Sequence, residues 1–162
     1  MASINELKEY IDEGNAHALQ ANMGAFDARG YQKLLRYCVE CDQVACLKVM
    51  AQYCDPNVTT ALLRSAQYGH LECVAFLIPS TCSEYDAGVA LVNAASYGRL
   101  ECVKIMAPYC TLYFCEQALI EANERKHIDI AQWLEHDINC RQNKVLHDSV
   151  VATHQAAHLR KI

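Results

Sequence analysis

One stretch of this chain occurs twice, 29 residues apart. Residues 61–79 read ALLRSAQYGHLECVAFLIP, and residues 90–108 read ALVNAASYGRLECVKIMAP. A fixed period of about 20 to 50 residues is typical of repeat proteins, in which a unit cannot bury its own apolar face and must stack on its neighbours. The sequence therefore predicts a short solenoid. Solenoids usually bind partners and seldom catalyse reactions.

The repeat extends in both directions when Gly69 and Gly98 are taken as the turn between two helices. The equivalent turn positions, at spacings of 27 to 29 residues, are Gly14, Asp42, Gly69, Gly98 and Lys126. Apolar residues keep the same register before the turn at Leu7, Leu35, Leu63, Val92 and Ile120, and after it at Ala16, Val44, Leu71, Leu100 and Ile128. We predict five units, at about 4–28, 31–56, 57–85, 86–114 and 115–136, in a single domain over 1–162.

Each unit is predicted to be a helical hairpin, so the fold class is all-α. Before the turn, small residues such as Ser65 and Ala66 share one helical face with Ala61. After the turn, residues 71–78 have the spacing of an amphipathic helix, which Pro79 ends. Helices of two to three turns are marginal in isolation, so their stability must come from stacking.

The two ends of the chain are predicted to carry capping helices, which a finite stack needs to shield its terminal apolar faces. Ser3 and Glu6 have the spacing of a capping box at the start of the first helix. Residues 143–159 contain neither glycine nor proline and hold apolar side chains on one stripe: Leu146, Val150, Thr153 and Ala157. This C-terminal helix either covers the last unit or orders on a partner, and the sequence leaves both open.

Residues 60–66 and 69–74 resemble the ankyrin repeat, whose helices read roughly Thr-Pro-Leu-His-Leu-Ala-Ala and Gly-His-Leu-Glu-Val-Val. The Pro-Leu-His element is missing here, and the units are shorter than the ankyrin period of about 33 residues. The resemblance implies an ankyrin-like solenoid of about five hairpins that binds a protein partner. Segments 79–88 and 108–115 are too short for the projecting β-hairpin of that family, and we predict bare loops there.

The resemblance to ankyrin proteins also implies where the partner binds. In ankyrin-like stacks, the positions just before each turn face the concave surface. Carried over, these residues are Glu40, Cys41, Gln67, Tyr68, Ser96, Tyr97, Glu124 and Arg125, and one helical turn earlier Arg36, Arg64, Asn93 and Glu121. Tyr68 and Tyr97 are either partner contacts, since tyrosine offers area and a hydroxyl at low entropic cost, or residues that pack across the turn.

The resulting hypothesis is a non-catalytic scaffold or adaptor that binds another protein through its concave face and the loops between repeats. Divergent units of this kind are similar to those of large ankyrin families in protists and in bacteria that live inside them. That similarity implies a secreted effector or an adaptor, acting in the host cytosol if it is secreted.

The ten cysteines first suggest a disulfide framework or a zinc site, but most of them follow the repeat. Cys46, Cys73 and Cys102 occupy one repeat position, Cys54, Cys82 and Cys110 occupy another, and Cys38 aligns with Ser65, Ala94 and Ala122. A cysteine that recurs once per unit is most simply a small buried hydrophobe. So many thiols without a signal peptide indicate a reducing cytosol, and we expect no metal and no cofactor.

The alternative hypothesis is a metal-binding or thiol-dependent activity that uses cysteine and histidine. His154 and His158 have i, i+4 spacing with His147 on the same face, but the glutamate of a metalloprotease helix is absent. We read them as the polar face of the C-terminal helix. The exposed candidates for a cysteine nucleophile are Cys82, Cys110 and Cys115, although two of these are repeat positions.

The charge and hydropathy of the chain restrict its partners. The net charge is −5, and the sequence shows no basic run and no stripe of Arg and Lys, which argues against nucleic acid. No apolar run approaches the ~18 residues of a membrane span. We therefore expect a soluble, cytoplasmic protein with no membrane partner, either a monomer or weakly self-associating through an uncapped end.

Overall fold

The computed structural model of the chain describes residues 2–24, 26–53, 58–80 and 83–159. Within these residues there are ten α-helices, two 3-10 helices and no β-strand, which confirms the all-α prediction. The α-helices are α1 (Ile4–Asp12), α2 (Ala16–Asn22), α3 (Ala28–Glu40), α4 (Val44–Met50), α5 (Val58–Tyr68), α6 (Leu71–Leu77), α7 (Glu84–Ser96), α8 (Leu100–Met106), α9 (Leu112–Glu124) and α10 (Ile128–Leu159). The 3-10 helices are Ile78–Ser80 and Ala107–Tyr109.

The five turn positions that the repeat register predicts all adopt the left-handed backbone conformation. Their φ angles are 67° at Gly14, 55° at Asp42, 85° at Gly69, 72° at Gly98 and 62° at Lys126. Glycine reaches this region at little cost, whereas aspartate and lysine do so with strain. The register therefore predicts the turn even where glycine is absent.

The backbone hydrogen bonds at these turns repeat as closely as the angles do. After each turn position, the next amide donates to the carbonyl five residues earlier, as in the Schellman motif that ends many helices. The five N···O pairs are Asn15 to Tyr10, Gln43 to Cys38, His70 to Ser65, Arg99 to Ala94 and His127 to Ala122, all at 2.8 to 2.9 Å. One local structure thus ends α1, α3, α5, α7 and α9.

The helices contact one another in two series. In the first series α1 contacts α3, α3 contacts α5, α5 contacts α7 and α7 contacts α9. In the second series α2, α4, α6, α8 and α10 contact in the same order, and each helix of the first series contacts the helix that follows it. The small side chains predicted to allow close approach, Cys38, Ser65, Ala94 and Ala122, are all fully buried. A single buried cluster runs from Leu7 in α1 to Ile138 in α10.

Several predicted loop residues are helical. The capping box at Ser3 and Glu6 is present as predicted. The bare loops predicted over 79–88 and 108–115 are shorter than predicted, because α7 begins at Glu84 and α9 at Leu112. Ser83 supplies the start of α7 by accepting a hydrogen bond from the Asp86 amide at 3.0 Å.

The C-terminal helix also differs from the prediction. The second helix of the fifth unit and the helix expected over 143–159 are one continuous helix, α10, because residues 128–159 contain neither glycine nor proline to end it. Among its described side chains, those of residues 128–147, the last buried one is Ile138. Leu146, predicted to help cover the last unit, is 67% exposed, and the side chains of Val150, Thr153 and Ala157 lie outside the described part.

Gly88 in α7 makes room for the ring of Phe114 in α9, and this contact carries a prediction. A Cβ atom added at Gly88 would lie 2.2 Å from Cγ and Cδ2 of that ring. Alanine in a helix interior is more favourable than glycine by about 1 kcal/mol, whereas overpacking costs about 1 to 3 kcal/mol. We expect Gly88→Ala to lower the free energy of unfolding, measured with urea, by about 1 kcal/mol.

The matched control for Gly88→Ala is the same substitution in a Phe114→Ala background. There the ring is gone and only the helix propensity remains, so Gly88→Ala is expected to stabilise the protein. Stabilisation by Gly88→Ala in the wild-type background would contradict the close contact between α7 and α9.

Candidate partner-binding surface

Of the residues that the ankyrin resemblance assigns to a partner, we call eleven the predicted surface. They lie near the C-terminal ends of α3, α5, α7 and α9. None of them is buried. The exposed ones are Arg36, Glu40, Tyr68, Tyr97, Glu124 and Arg125. The half-buried ones are Arg64, Gln67, Asn93, Ser96 and Glu121, and Cys41 beside them is half-buried as well. Because these helices contact one another in order, the residues lie in adjacent rows.

Side chains that follow three of the five turns hold this region together by reaching back to the preceding unit. The Arg99 Nε donates to the Gln67 carbonyl at 3.0 Å, and the His127 Nε2 lies 3.2 Å from the Ser96 carbonyl. His70 instead reaches a side chain of the preceding unit: its Nδ1 lies 3.5 Å from Asp42 Oδ2. The backbone that carries the predicted surface is therefore tied from unit to unit.

Tyr68 and Tyr97 are 40% and 49% exposed. The Tyr68 ring centroid lies 5.6 Å from that of His70, so part of this ring packs against the turn. Within the described residues neither tyrosine hydroxyl makes a hydrogen bond, whereas Tyr37 donates to Asp12 Oδ1 at 2.8 Å. Each tyrosine thus combines partial packing with an accessible hydroxyl.

The polar residues of the surface fall into two groups. Asn93 has a structural contact, because its Nδ2 donates to the Leu63 carbonyl at 3.2 Å and so joins α7 to α5. Two arginines make exposed i, i+4 ion pairs, Arg36 with Glu40 at 3.3 Å and Arg125 with Glu121 at 4.0 Å. Exposed pairs of this kind contribute little stability, so these four side chains are available to a partner.

Two cations of the first hairpins share a repeat position. Lys8 in α1 and Arg36 in α3 each lie six residues before the turn that follows, on contacting helices. Arg64 in α5 lies one residue closer to its turn, so it belongs to the neighbouring repeat position.

A groove of about 420 Å³ is lined by residues of α1 and α3, Lys8 and Arg36 among them. We call it the basic groove; its lining residues are Ile4, Asn5, Lys8, Lys33, Arg36, Tyr37 and Glu40. The Lys8 Nζ lies 4.5 Å from the centre of the Tyr37 ring. The hydrogen bond to Asp12 raises the pKa of Tyr37, so its hydroxyl stays protonated.

The described cysteines are poor candidates for a nucleophile. Cys110 and Cys115, predicted to be exposed, are buried because they lie where the short connection into α9 packs on the core; Cys54 and Cys82 lie outside the described residues. Burial raises the pKa of Cys73 to about 12, of Cys102 to about 11 and of Cys110 to about 12. A reactive cysteine needs the opposite shift, towards the thiolate.

Three described cysteines lie close to a histidine or a carboxylate. Cys41 Sγ donates to Asp12 Oδ1 at 3.6 Å, and burial raises the pKa of this thiol. Cys73 Sγ donates to Asp42 Oδ1 at 3.5 Å, and the carboxylate rather than His70 is its partner, which further raises the thiol pKa. Cys140 is exposed, with its Sγ 3.6 Å from Nε2 of His136.

No cluster of three or more His, Cys, Asp or Glu side chains suited to a metal ion occurs in the described ranges. The side chains of the predicted pair, His154 and His158, lie outside the described part of the structure. Among the helices described, none combines the length and apolarity needed to cross a bilayer.

Models of known protein families give no match to this sequence, and curated proteins give none either.

Proposed function

We propose that this chain is a non-catalytic scaffold that binds a partner protein through the predicted surface, and that its helices form an ankyrin-like solenoid of five hairpins. One observation carries the proposal: the same turn, with the same hydrogen bond, recurs five times and puts accessible side chains in adjacent rows. Repeat stacks present extended surfaces of this kind to their partners.

The chemistry of the cysteines supports a binding role over a thiol activity. All eight cysteines that the structure describes are free thiols, and six of them are buried. Burial keeps these thiols protonated, which suits packing and not nucleophilic attack. Free thiols in this number are typical of a reducing compartment, so we propose the cytosol, which is the host cytosol if the chain is a secreted effector.

The two tyrosines provide the test of this function. We expect Tyr68→Ala/Tyr97→Ala to weaken capture of the partner from a native lysate by about tenfold or more, because tyrosines at the centre of an interface are common hot spots. The measurement is quantitative mass spectrometry of proteins retained by the immobilised wild type and variants, followed by a titration with the purified partner.

The matched control for the tyrosine variant is Tyr85→Ala/Tyr113→Ala, which removes two exposed tyrosines at the opposite ends of α7 and α9. Both residues lie in the segments between units, 79–88 and 108–115, and outside the predicted surface, so this variant is expected to keep the partner. Loss of the partner in this variant alone would assign binding to those segments. Equal loss in both variants, or no specific partner with wild type, would contradict the proposed surface. A lower melting temperature only in Tyr68→Ala/Tyr97→Ala would assign these residues to packing.

A further inference from the structure

We propose that the basic groove binds an acidic segment of the partner protein, whose Asp and Glu carboxylates pair with Lys8, Lys33 and Arg36. The proposal rests on the proposed function, since the occupant is part of the partner. It adds that the partner carries an acidic segment and that this segment binds at the α1 and α3 end of the surface.

The charges that line the groove favour an acidic ligand. The chain as a whole has a net charge of −5, yet the groove is lined by three cations and one carboxylate. That carboxylate, Glu40, is paired with Arg36. Within the described residues, no carboxylate lies within ion-pair distance of Lys8 or Lys33. A concave site with an excess of one charge sign concentrates ligands of the opposite sign.

The side chains around these cations favour carboxylates over an apolar ligand. Ile4 is the one aliphatic residue of the lining, and the remainder are charged or can form hydrogen bonds. Arg36 presents a planar guanidinium that binds a carboxylate through two parallel N–H groups. Its exposed pair with Glu40 is weak enough for a partner carboxylate to share or replace it.

The distribution of charge along the surface favours a protein segment over a nucleic acid. Lys8 and Arg36 occupy one repeat position at the first two hairpins, and the neighbouring position holds Arg64, Asn93 and Glu121 at the third, fourth and fifth. A long polyanion that extended from the groove along the surface would meet Glu121, whereas a short acidic segment confined to the groove would not. The polarity therefore places the acidic part of the partner at the α1 to α5 end.

The probe for this proposal is a fluorescent peptide of alternating Glu and Ser residues, with a Gln and Ser peptide and a single-stranded oligonucleotide of equal charge for comparison. Binding to the full chain is measured by anisotropy at low salt and again at physiological salt. We expect the Glu peptide to bind about tenfold more tightly than the Gln peptide, with a preference that weakens as salt rises.

Two variants with the same change in charge locate the site. Lys8→Gln/Lys33→Gln is expected to weaken binding of the Glu peptide by about tenfold, which corresponds to about 1.4 kcal/mol. Lys126→Gln/Lys144→Gln, which removes two exposed lysines far from the groove, is expected to bind within about twofold of wild type. Equal weakening in both variants, or equal binding of the Glu and Gln peptides, overturns the proposal. Tighter binding of the oligonucleotide that Lys8→Gln/Lys33→Gln abolishes overturns it in favour of a nucleic acid.

Capture of the partner separates this proposal from the function on which it rests. If Lys8→Gln/Lys33→Gln retains the partner that Tyr68→Ala/Tyr97→Ala loses, the groove proposal fails and the scaffold function stands. If wild type captures no specific partner, both fail together. Loss of the partner in both variants, each folded, supports both.

Discussion

Raising the pH from 9 to 10 is expected to lower the free energy of unfolding by at least about 5 kcal/mol, because buried thiols keep their protons only in the folded protein and four of them have the most strongly raised pKa values. These thiols belong to Cys38, Cys73, Cys102 and Cys110, which are at most 6% exposed. Burial raises the pKa of each, to about 12 for Cys73 and Cys110 and about 11 for Cys102, and also raises that of Cys38.

The sign of this effect follows from which state ionises first. An unfolded cysteine has a pKa of about 8.5, so above that pH the unfolded chain loses protons while the folded chain keeps them. The contribution of each thiol to stability is therefore complete below pH ~8.5 and falls by about 1.4 kcal/mol per pH unit until the folded pKa is reached. Since domains are typically stable by about 5 to 15 kcal/mol, the protein is expected to unfold near pH 10 to 11.

Urea unfolding at several pH values between 7.5 and 10, in the presence of a reductant, measures this slope. The control is Cys73→Val/Cys102→Val, which removes two of the four thiols. The same repeat position in the fifth hairpin holds Ile130, which is fully buried, so a branched apolar side chain fits there. We expect the slope to fall to about half. An unchanged slope in this variant would exclude the thiols as the cause.

Much of the fold could be predicted because one register governs the whole chain. Gly14, Gly69 and Gly98 mark the turns by their residue type, and the spacing then identifies Asp42 and Lys126, which no local rule would select as left-handed. The same register correctly predicts the burial of Cys46, Cys73 and Cys102. A periodic sequence constrains each unit with information from the others, which single segments lack.

The predictions that were wrong concern residues between the repeat units, the C-terminal helix beyond the last unit, and contacts between neighbouring units. Cys110 and Cys115 lie in segment 108–115, which is predicted as a bare loop because it is too short for the projecting β-hairpin of the ankyrin family. A 3-10 helix and the start of α9 occupy most of this segment, and both thiols are buried. The continuity of α10 also escaped prediction, because a helix continues wherever nothing ends it. Lys33 reaches the basic groove only through the contact of α3 with α1, which has no signature in spacing.

The candidate surface was only partly accessible from sequence for a related reason. Repeat alignment locates the positions before each turn, but it does not distinguish a side chain that binds a partner from one that holds the stack. Asn93 and Tyr97 are four residues apart at the C-terminal end of α7. The Asn93 side chain donates to the Leu63 carbonyl, whereas the Tyr97 hydroxyl has no hydrogen-bond partner among the described residues. That distinction depends on where adjacent helices expose a carbonyl.

Arg141→Ala is expected to lower the free energy of unfolding by about 1 to 3 kcal/mol, because this side chain attaches α10 to the preceding hairpin. The Arg141 Nη1 donates to the Cys110 carbonyl at 3.1 Å, and the Nη2 lies 2.8 Å from Asp137 Oδ2. Both side chains are only 22 to 25% exposed. No hydrogen bond of ordinary geometry satisfies Asp137 Oδ2 within the described residues, so the guanidinium is the charge that compensates it.

The matched control is Arg125→Ala, which breaks an ion pair of the same i, i+4 spacing with Glu121. Arg125 is 62% exposed and Glu121 35%, so this loss is expected to stay below about 0.5 kcal/mol. The measurement is urea unfolding at neutral pH for both variants, with hydrogen exchange to follow the amides of α10. Equal losses in the two variants would mean that the partial burial of Arg141 adds nothing.

A second substitution separates the two contacts of Arg141. Asp137→Ala/Arg141→Ala removes the carboxylate that Arg141→Ala leaves uncompensated, so the double variant is expected to recover part of the lost stability. The part that stays lost reports the hydrogen bond to the Cys110 carbonyl. Ile138 is the last buried residue among the described side chains of α10, those of residues 128–147. Arg141 lies three residues beyond it and joins this part of the helix to the Cys110 carbonyl. Its loss is therefore expected to release the helix from about residue 139 onward while the hairpins before it stay folded.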